Sequence, residues 1–519
     1  MAPSYLSPGV YVEEVDRGTK PIEAVGTAVA AFVGYTEKAA DPRNGNNLVG
    51  KPTLVTNWSQ YQQHFGNFVE GAYLPESVWG YFNNGGTRAY IVSVKTLGAA
   101  ADGAKGLPAK ATVAAADKSG DVLEITAKAG GPAGNNIQAS VKPEPAKEEG
   151  ADATFTLVIK SGSQTESFPN VNLKKGDKQF VETVVKAQSK LVDVKVVAKD
   201  TKLAPAGEVH LTGGKVETKA VTILDYQGEL AARTGLGGIE AIPDVTMIVA
   251  PDLMSAFQAG ELDAKGVQTV QTAIIDFCER TRYVFAILDC PPGLTPQEVY
   301  DWRMTVNYDT TRAALYYPWV EVSDPMKAGK THFVPPSGLL AGLYARVDET
   351  RGVHKAPANE ILRGVVGLEV NVTKGEQDGL NPVGVNCIRS FPGRGIRVWG
   401  ARTLTSDPSW RYINVRRLFN MIEASIERGT QWAVFEPNDY SLWARLRRDI
   451  TSFLKVQWRS GALFGRTPEE AFFVKCDEEL NPPEIRDLGQ CIVEVGIAPV
   501  KPAEFLIIRI SQWAPEGGE

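Results

Sequence analysis

Few residues of this 519-residue chain stand at spacings that do chemistry. The stretch "GNNLVGKP" (45–52) comes within one residue of G-x-x-x-x-G-K-[ST], whose backbone amides and lysine cradle phosphates while its hydroxyl holds magnesium. Pro52 stands where the hydroxyl belongs, and "ADPRN" upstream reads as a loop, so a surface turn is expected. "TGLGGIEAI" (234–242) carries half of a dinucleotide fingerprint without the strand–turn–helix context, which predicts a flexible loop. Cys290, in "LDCPPG", has no basic neighbour to lower its pKa, and no G-x-S-x-G elbow occurs. Five cysteines (Cys278, Cys290, Cys387, Cys476, Cys491) and four histidines (His64, His210, His332, His354) are scattered without ligand spacing. Glu13-Glu14 and Glu469-Glu470 are neighbours in sequence, not facing carboxylates. These patterns point away from an enzyme and call for no metal or cofactor.

A different pattern lies in "NDYSLWARLRRDITSFLKVQWRSGALFG" (438–465). Leu442, Leu446, Ile450, Phe453 and Leu454 form an apolar stripe at helical spacing, with Asn438 or Asp439 to cap the start and Gly461 past the end. Arg445, Arg448, Lys455 and Arg459 then fall along one face. On a chain of net charge −6 such a face suits an acidic partner; a merely solvated helix face is the alternative.

The elements that must position these residues follow from periodicity. "SPGVYVEEVD" (7–16) alternates β-branched and polar residues and reads as a strand, with no evident partner nearby. "TAVAAFVGY", two helices at 56–66 and 74–86, and "RAYIVSV" (88–94) predict the beginning of an α/β layer. No arginine occurs between Arg88 and Arg233, and period-two stretches such as "DVLEITAKA" and "ATFTLVIKSG" alternate with turns, predicting an inserted, exposed β domain. The α/β pattern resumes at 241–252 with further strands and helices, including "AALYYPWVEV" as one strand and "DPMKAGKTHFVPPSG" as a loop. Downstream come helices at 414–428 and about 439–460, a strand at "WAVFE", strands near 470–476 and 490–497, and a terminal strand "AEFLIIRISQW" (503–513).

The predicted class is therefore α/β (α+β) and multidomain. An arm at 1–20 precedes a discontinuous α/β core at 21–97 and 218–375, interrupted by the β-rich insert 98–217. A C-terminal α/β domain at 376–500 and an arm at 501–519 follow. No apolar run is long enough to span a bilayer, and no basic region precedes "AVGTAVAAFVGY", so a chain made and folded in the cytosol, without membrane insertion, is expected. The overall charge gives no nucleic-acid signal.

Several of these stretches together resemble the sheath subunits of contractile tails and injection systems. They include the opening "SPGVYVEEVDRGTKPIEAVGTAVAAFVGYT", "SVWGYFNNGGTRAYIVSV", "VPPSGLLAGLYARVDETRGVHKAPAN" and "LWARLRRDITSFLKVQWRSGALFGRTPEEAFFVKCD". The resemblance implies a mechanical protein that polymerises helically around an inner tube protein, between baseplate and terminal cap proteins, and shortens to drive the tube through an envelope. It implies that the two arms add strands to neighbouring subunits: Val10, Tyr11, Val12, Glu13 and Val15 at one end, Phe505, Ile507, Ile508 and Ile510 at the other. The C-terminal domain would face the tube, through Arg445, Arg448, Lys455 and Arg459, and the insert would face outward. The competing functions are a cytosolic nucleotide-binding enzyme using 45–52 or 234–238, and a non-contractile shell or adhesin.

Overall fold

The computed structural model describes residues 21–98, 105–144, 152–162, 164–198, 200–217 and 220–510. Its centre is an eight-stranded sheet. In chain order the strands are β1 (Ala30–Thr36), β2 (Thr53–Val55), β3 (Ala89–Thr96), β4 (Met247–Val249), β5 (Phe285–Asp289), β6 (Ala313–Tyr317), β7 (Val385–Phe391) and β8 (Gly395–Val398). Their spatial order is β8-β7-β6-β5-β4-β1-β3-β2. The six inner strands run parallel, and β2 and β8 close the edges antiparallel.

Parallel strands of this kind are apolar on both faces because helices cover both. β1 and β6 are buried at every position. Alternate residues feed two cores: Ala31, Val33, Ile248, Ala286 and Leu315 enter one, Ala30, Phe32, Met247, Ile287 and Tyr316 the other. Helices α1 (Trp58–Phe65), α2 (Leu74–Asn84) and α5 (Ser337–Arg351) cover the second core, and α3 (Ala264–Thr281) and α4 (Pro296–Val306) the first. Local signals set these helices: Asn57 accepts the Gln60 amide at the start of α1, and Thr295 and Glu298 form a capping box on α4. α2 and α5 approach closely because Gly338 and Gly342 face α2; a Cβ at either would overlap Ser77 or the Tyr81 carbonyl.

Between β3 and residue 220 the chain builds two four-stranded antiparallel sheets around a separate core that includes Val122, Ile125, Phe155, Leu157 and Val171. C-terminal to the main sheet come α6 (Ile413–Gly429), α7 (Tyr440–Arg459) and a two-stranded ribbon, β9 (Phe472–Lys475) with β10 (Glu494–Ile497). Leu418, Ile422, Ile450, Phe453 and Leu454 join α6 and α7 in their own core, against which Val474, Val495 and Ile497 pack.

Several expectations change. The boundary at residue 375 cuts the main sheet, since β7 pairs in parallel with β6. "AALYYPWVEV" is two strands: after Pro318, which lacks an N–H to continue the ladder, Val320–Ser323 joins a small antiparallel sheet with Thr331–Val334 and Val365–Leu368. That sheet places a strand within the stretch 324–338 expected to be a loop. "WAVFE" is not a strand; Gln431–Ala433 form a 3-10 turn, and Phe435 sits at φ +68. Among the described residues this short apolar run has no strand to pair with. "TGLGGIEAI" contains a helical turn, Gly235–Glu240, and is packed rather than loose. Residues 501–510 pair as no strand among the described residues, and residues 1–20 lie outside them.

Candidate assembly surfaces

The groups that suggested chemistry are occupied with holding the fold. The two glycine-rich stretches meet each other, the Gly235 amide donating to the Gly50 carbonyl at 2.8 Å. Lys51 leads into an edge strand rather than a helix, so its loop is not the strand–loop–helix that cradles phosphate. Asp252 and Asp289 lie at the carboxyl ends of parallel strands, where α/β folds commonly place sites. Burial pushes the Asp252 carboxyl up to about 6, against the backbone amides of Tyr35, Tyr73 and Leu74 and the Ser255 hydroxyl that donate to it. Burial likewise pushes Asp289 up to about 7, where it receives the Ser337 amide and hydroxyl at the start of α5. The Cys290 thiol is buried and pushed well above its ordinary value by that burial. Among the described residues no three His, Cys, Asp or Glu side chains gather to hold a metal ion, and no helix is long and apolar enough to cross a membrane.

The unsatisfied groups lie elsewhere. The ribbon packs its Phe472, Val474, Val495 and Ile497 face on α6 and α7 and turns Phe473 outward over Gly496. Among the described residues neither outer edge of the ribbon is paired. A lone two-stranded ribbon is marginal and exposes rows of unused N–H and C=O groups. Beyond it the chain continues as Phe505, Leu506, Ile507, Ile508, Arg509 and Ile510, whose apolar members are 71–92% exposed. An apolar run of this kind, left in water, lacks a partner.

The basic stripe is on α7 as its spacing implies, at about 100° per residue within an arc of about 80°. Its four members differ. Arg445 stacks on the Trp432 ring at 4.2 Å and approaches Glu436 at 3.5 Å. Arg448 pairs with its neighbour Asp449 at 3.0 Å but remains 57% exposed. Lys455 and Arg459 point to solvent with no ion pair among the described residues. Exposed Val456, Phe435 and Val434 add apolar surface on and beside this helix.

Sequence spacing missed two contacts that tie this region together. Arg417 on α6 makes a bidentate pair with Asp348 on α5, at 2.9 and 2.6 Å, and donates to the Thr27 carbonyl. Glu504, immediately before the exposed tail, is held by Arg402. Each pair joins residues far apart in the chain, and no local pattern marks them.

A doubly wound body that devotes its buried polar groups to structure, while offering an open ribbon, an unpaired apolar tail and a basic helix, is a subunit made for assembly. Two family models match it: "Phage tail sheath protein central domain" over residues 244–404 and "Phage tail sheath C-terminal domain" over 405–512, together more than half of the chain. The tail sheath protein of Vibrio phage KVP40 is 24% identical over 392 residues, covering 68% of this chain and 54% of that protein. A putative prophage major tail sheath protein of Pseudomonas aeruginosa is 28% identical, covering 56% of this chain and 75% of that one. The chain thus aligns with only about half the length of the Vibrio phage relative. Among solved structures, the sheath complex of the extracellular contractile injection system PVC in its contracted state matches with TM-score 0.57 and 26% identity. It covers 98% of this chain and 99% of that one. The helical sheath of the anti-feeding prophage, also contracted, matches with TM-score 0.58, 26% identity and 98% coverage of this chain. The chain belongs to the contractile tail sheath family of structural proteins.

Proposed function

We propose that this subunit polymerises helically around an inner tube and that the polymer shortens to drive the tube through a target envelope, with no chemical step in the subunit itself. Assembly takes place in the cytoplasm, between a baseplate and a terminal cap, as part of a phage tail-like particle. The observation that carries this reading is an exposed apolar tail and an open-edged ribbon on the same molecule, both without a strand partner among the described residues. The tail's alternate residues, Leu506, Ile508 and Ile510, would occupy one face of an added strand and Phe505 and Ile507 the other. Burying the first three is worth roughly 5–9 kcal/mol at about 1.5–3 kcal/mol each, before the cost of ordering the segment. The ribbon of a neighbour supplies the edge. Strand addition gives main-chain hydrogen bonds without fixing the angle between globular bodies. Subunits can then turn against one another and stay joined. A head-to-tail contact that does not close on itself produces a helical polymer.

In the same reading Val10, Tyr11, Val12, Glu13 and Val15 form the second exchanged strand, the insert faces outward, and α7 faces the tube. Arg448, Lys455 and Arg459 then meet an acidic belt, while Arg445, drawn toward Trp432 and Glu436, contributes least. Deleting residues 1–16 tests the exchange. The truncated subunit is expected to be soluble, folded and unable to polymerise; full sheaths from it would contradict the reading.

A further inference from the structure

The two tails are rooted near opposite ends of the same helix, the C-terminal one also by Arg402 and Asn381 of the preceding segment. At the N-terminal end of α6, Asn414 donates to the Val500 carbonyl at 3.1 Å, and the hydroxyl of Tyr412, the residue preceding the helix, donates to Glu504 at 3.0 Å. The Glu504 carboxylate also receives two parallel bonds from Arg402, each 2.8 Å, and one from Asn381 at 2.8 Å. The pair is largely covered, with the Arg402 and Glu504 side chains 10% and 18% exposed. Planar two-point recognition of a carboxylate by arginine is a strong and geometrically specific contact. The next residue, Phe505, is 71% exposed, so exposure rises sharply within one step of the clasp.

At the other end of α6, Ile22 is buried against Gly429, where a Cβ would come within 2.7 Å of it. The Val25 amide donates to the Ser425 hydroxyl at 3.0 Å. Residues 1–20, outside the described residues, precede this seat in the sequence. α6 has 17 residues, so the two roots are separated by about 25 Å along a helix rising about 1.5 Å per residue.

We propose that α6 is the strut of the polymer: it holds the roots of the two exchanged strands at a fixed separation, with the Glu504 clasp and the Ile22 seat as positioning contacts. This rests on the strand-exchange reading and adds to it the residues that aim the strands. Without the clasp, the tail would begin at residue 501, just past Val500, whose carbonyl Asn414 holds and whose amide donates to the Ala462 carbonyl, and would leave in no set direction. The separation then sets the offset between the two neighbours that one subunit joins, and pull along the polymer passes from one strand to the other through α6.

The test compares three full-chain variants, Glu504→Ala, Glu504→Gln and a deletion of 505–519, by melting temperature of the monomer and by critical concentration for sheath assembly. The deletion is expected to abolish assembly. Glu504→Ala is expected to raise the critical concentration at least tenfold while the monomer melts near the parent. Glu504→Gln keeps the shape and loses the ion pair, so it falls between. Faster amide exchange at Val500 in Glu504→Ala would mark release of the root independently of assembly. If the deletion blocks assembly while Glu504→Ala assembles like the parent with unchanged exchange, the strut is refuted and strand exchange stands. If the deletion assembles normally, strand exchange at this end fails and the strut fails with it.

Discussion

Replacing Asp348 by alanine tests how α6 is fixed to the α/β body. The Arg417 and Asp348 side chains are each 5% exposed. The carboxylate takes both guanidinium bonds and the Thr27 hydroxyl at 2.6 Å, and the guanidinium also lies 4.9 Å from the Tyr344 ring centroid. Removing one partner of such a pair leaves a buried charge without compensation, at a cost of about 3–5 kcal/mol. An unfolding unit of 150–250 residues loses about 2–4 °C per kcal/mol, so the monomer should melt roughly 6–20 °C lower. Differential scanning calorimetry of the unassembled subunit reads this directly. The double variant Asp348→Leu with Arg417→Met removes both charges and should recover much of the loss. It should still fall short of the parent by about 1–3 kcal/mol, because the Thr27 carbonyl and hydroxyl lose their partners. An Asp348→Ala subunit melting within about 2 °C of the parent, or a double variant no better than the single, would refute the reasoning.

Reversing two charges on α7, Lys455→Glu with Arg459→Glu, should leave the monomer folded and reduce sheath formation around tubes in co-assembly assays. Normal tube-filled particles would remove α7 from the tube interface. His332 gives a pH dependence. Its Nε2 lies 2.7 Å from Glu76 and its Nδ1 3.4 Å from Asp324, and the Glu76 hydrogen bond is the foremost cause holding the imidazole above its ordinary value. The folded state therefore keeps the proton to higher pH than the unfolded chain. The stabilisation is complete below about pH 6.5 and is lost as pH rises through the raised folded value. Melting points from pH 6 to 9 should fall in the parent and fall less in His332→Gln; equal slopes would contradict the assignment.

Where one element carries its own signal, the sequence sufficed. Of the two caps expected for α7, Asn438 or Asp439, it is Asp439 that caps it, and α6 and α7 begin and end within a residue or two of the apolar periodicity. The stripe on α7 was legible for the same reason. That Arg445 bends to Trp432 and Glu436 was not, because spacing gives the face of a helix and not the reach of a side chain. "WAVFE" reads as a strand by composition alone, but a strand exists only with a partner, and among the described residues none pairs with it. β7 was assigned to the wrong body because its partner β6 lies about 70 residues earlier. Glu504 and Arg402 are 102 positions apart, beyond any local pattern, and only the fold brings them together.

Electron microscopy of the particle expressed with its tube and baseplate components tests the central claim most directly. Strand exchange through the two arms predicts striated tubes in two forms, one long and narrow, one short and wide, with each ribbon completed by strands from other subunits in both. Tubes of a single length, or ribbons whose edges stay open in the polymer, would contradict it.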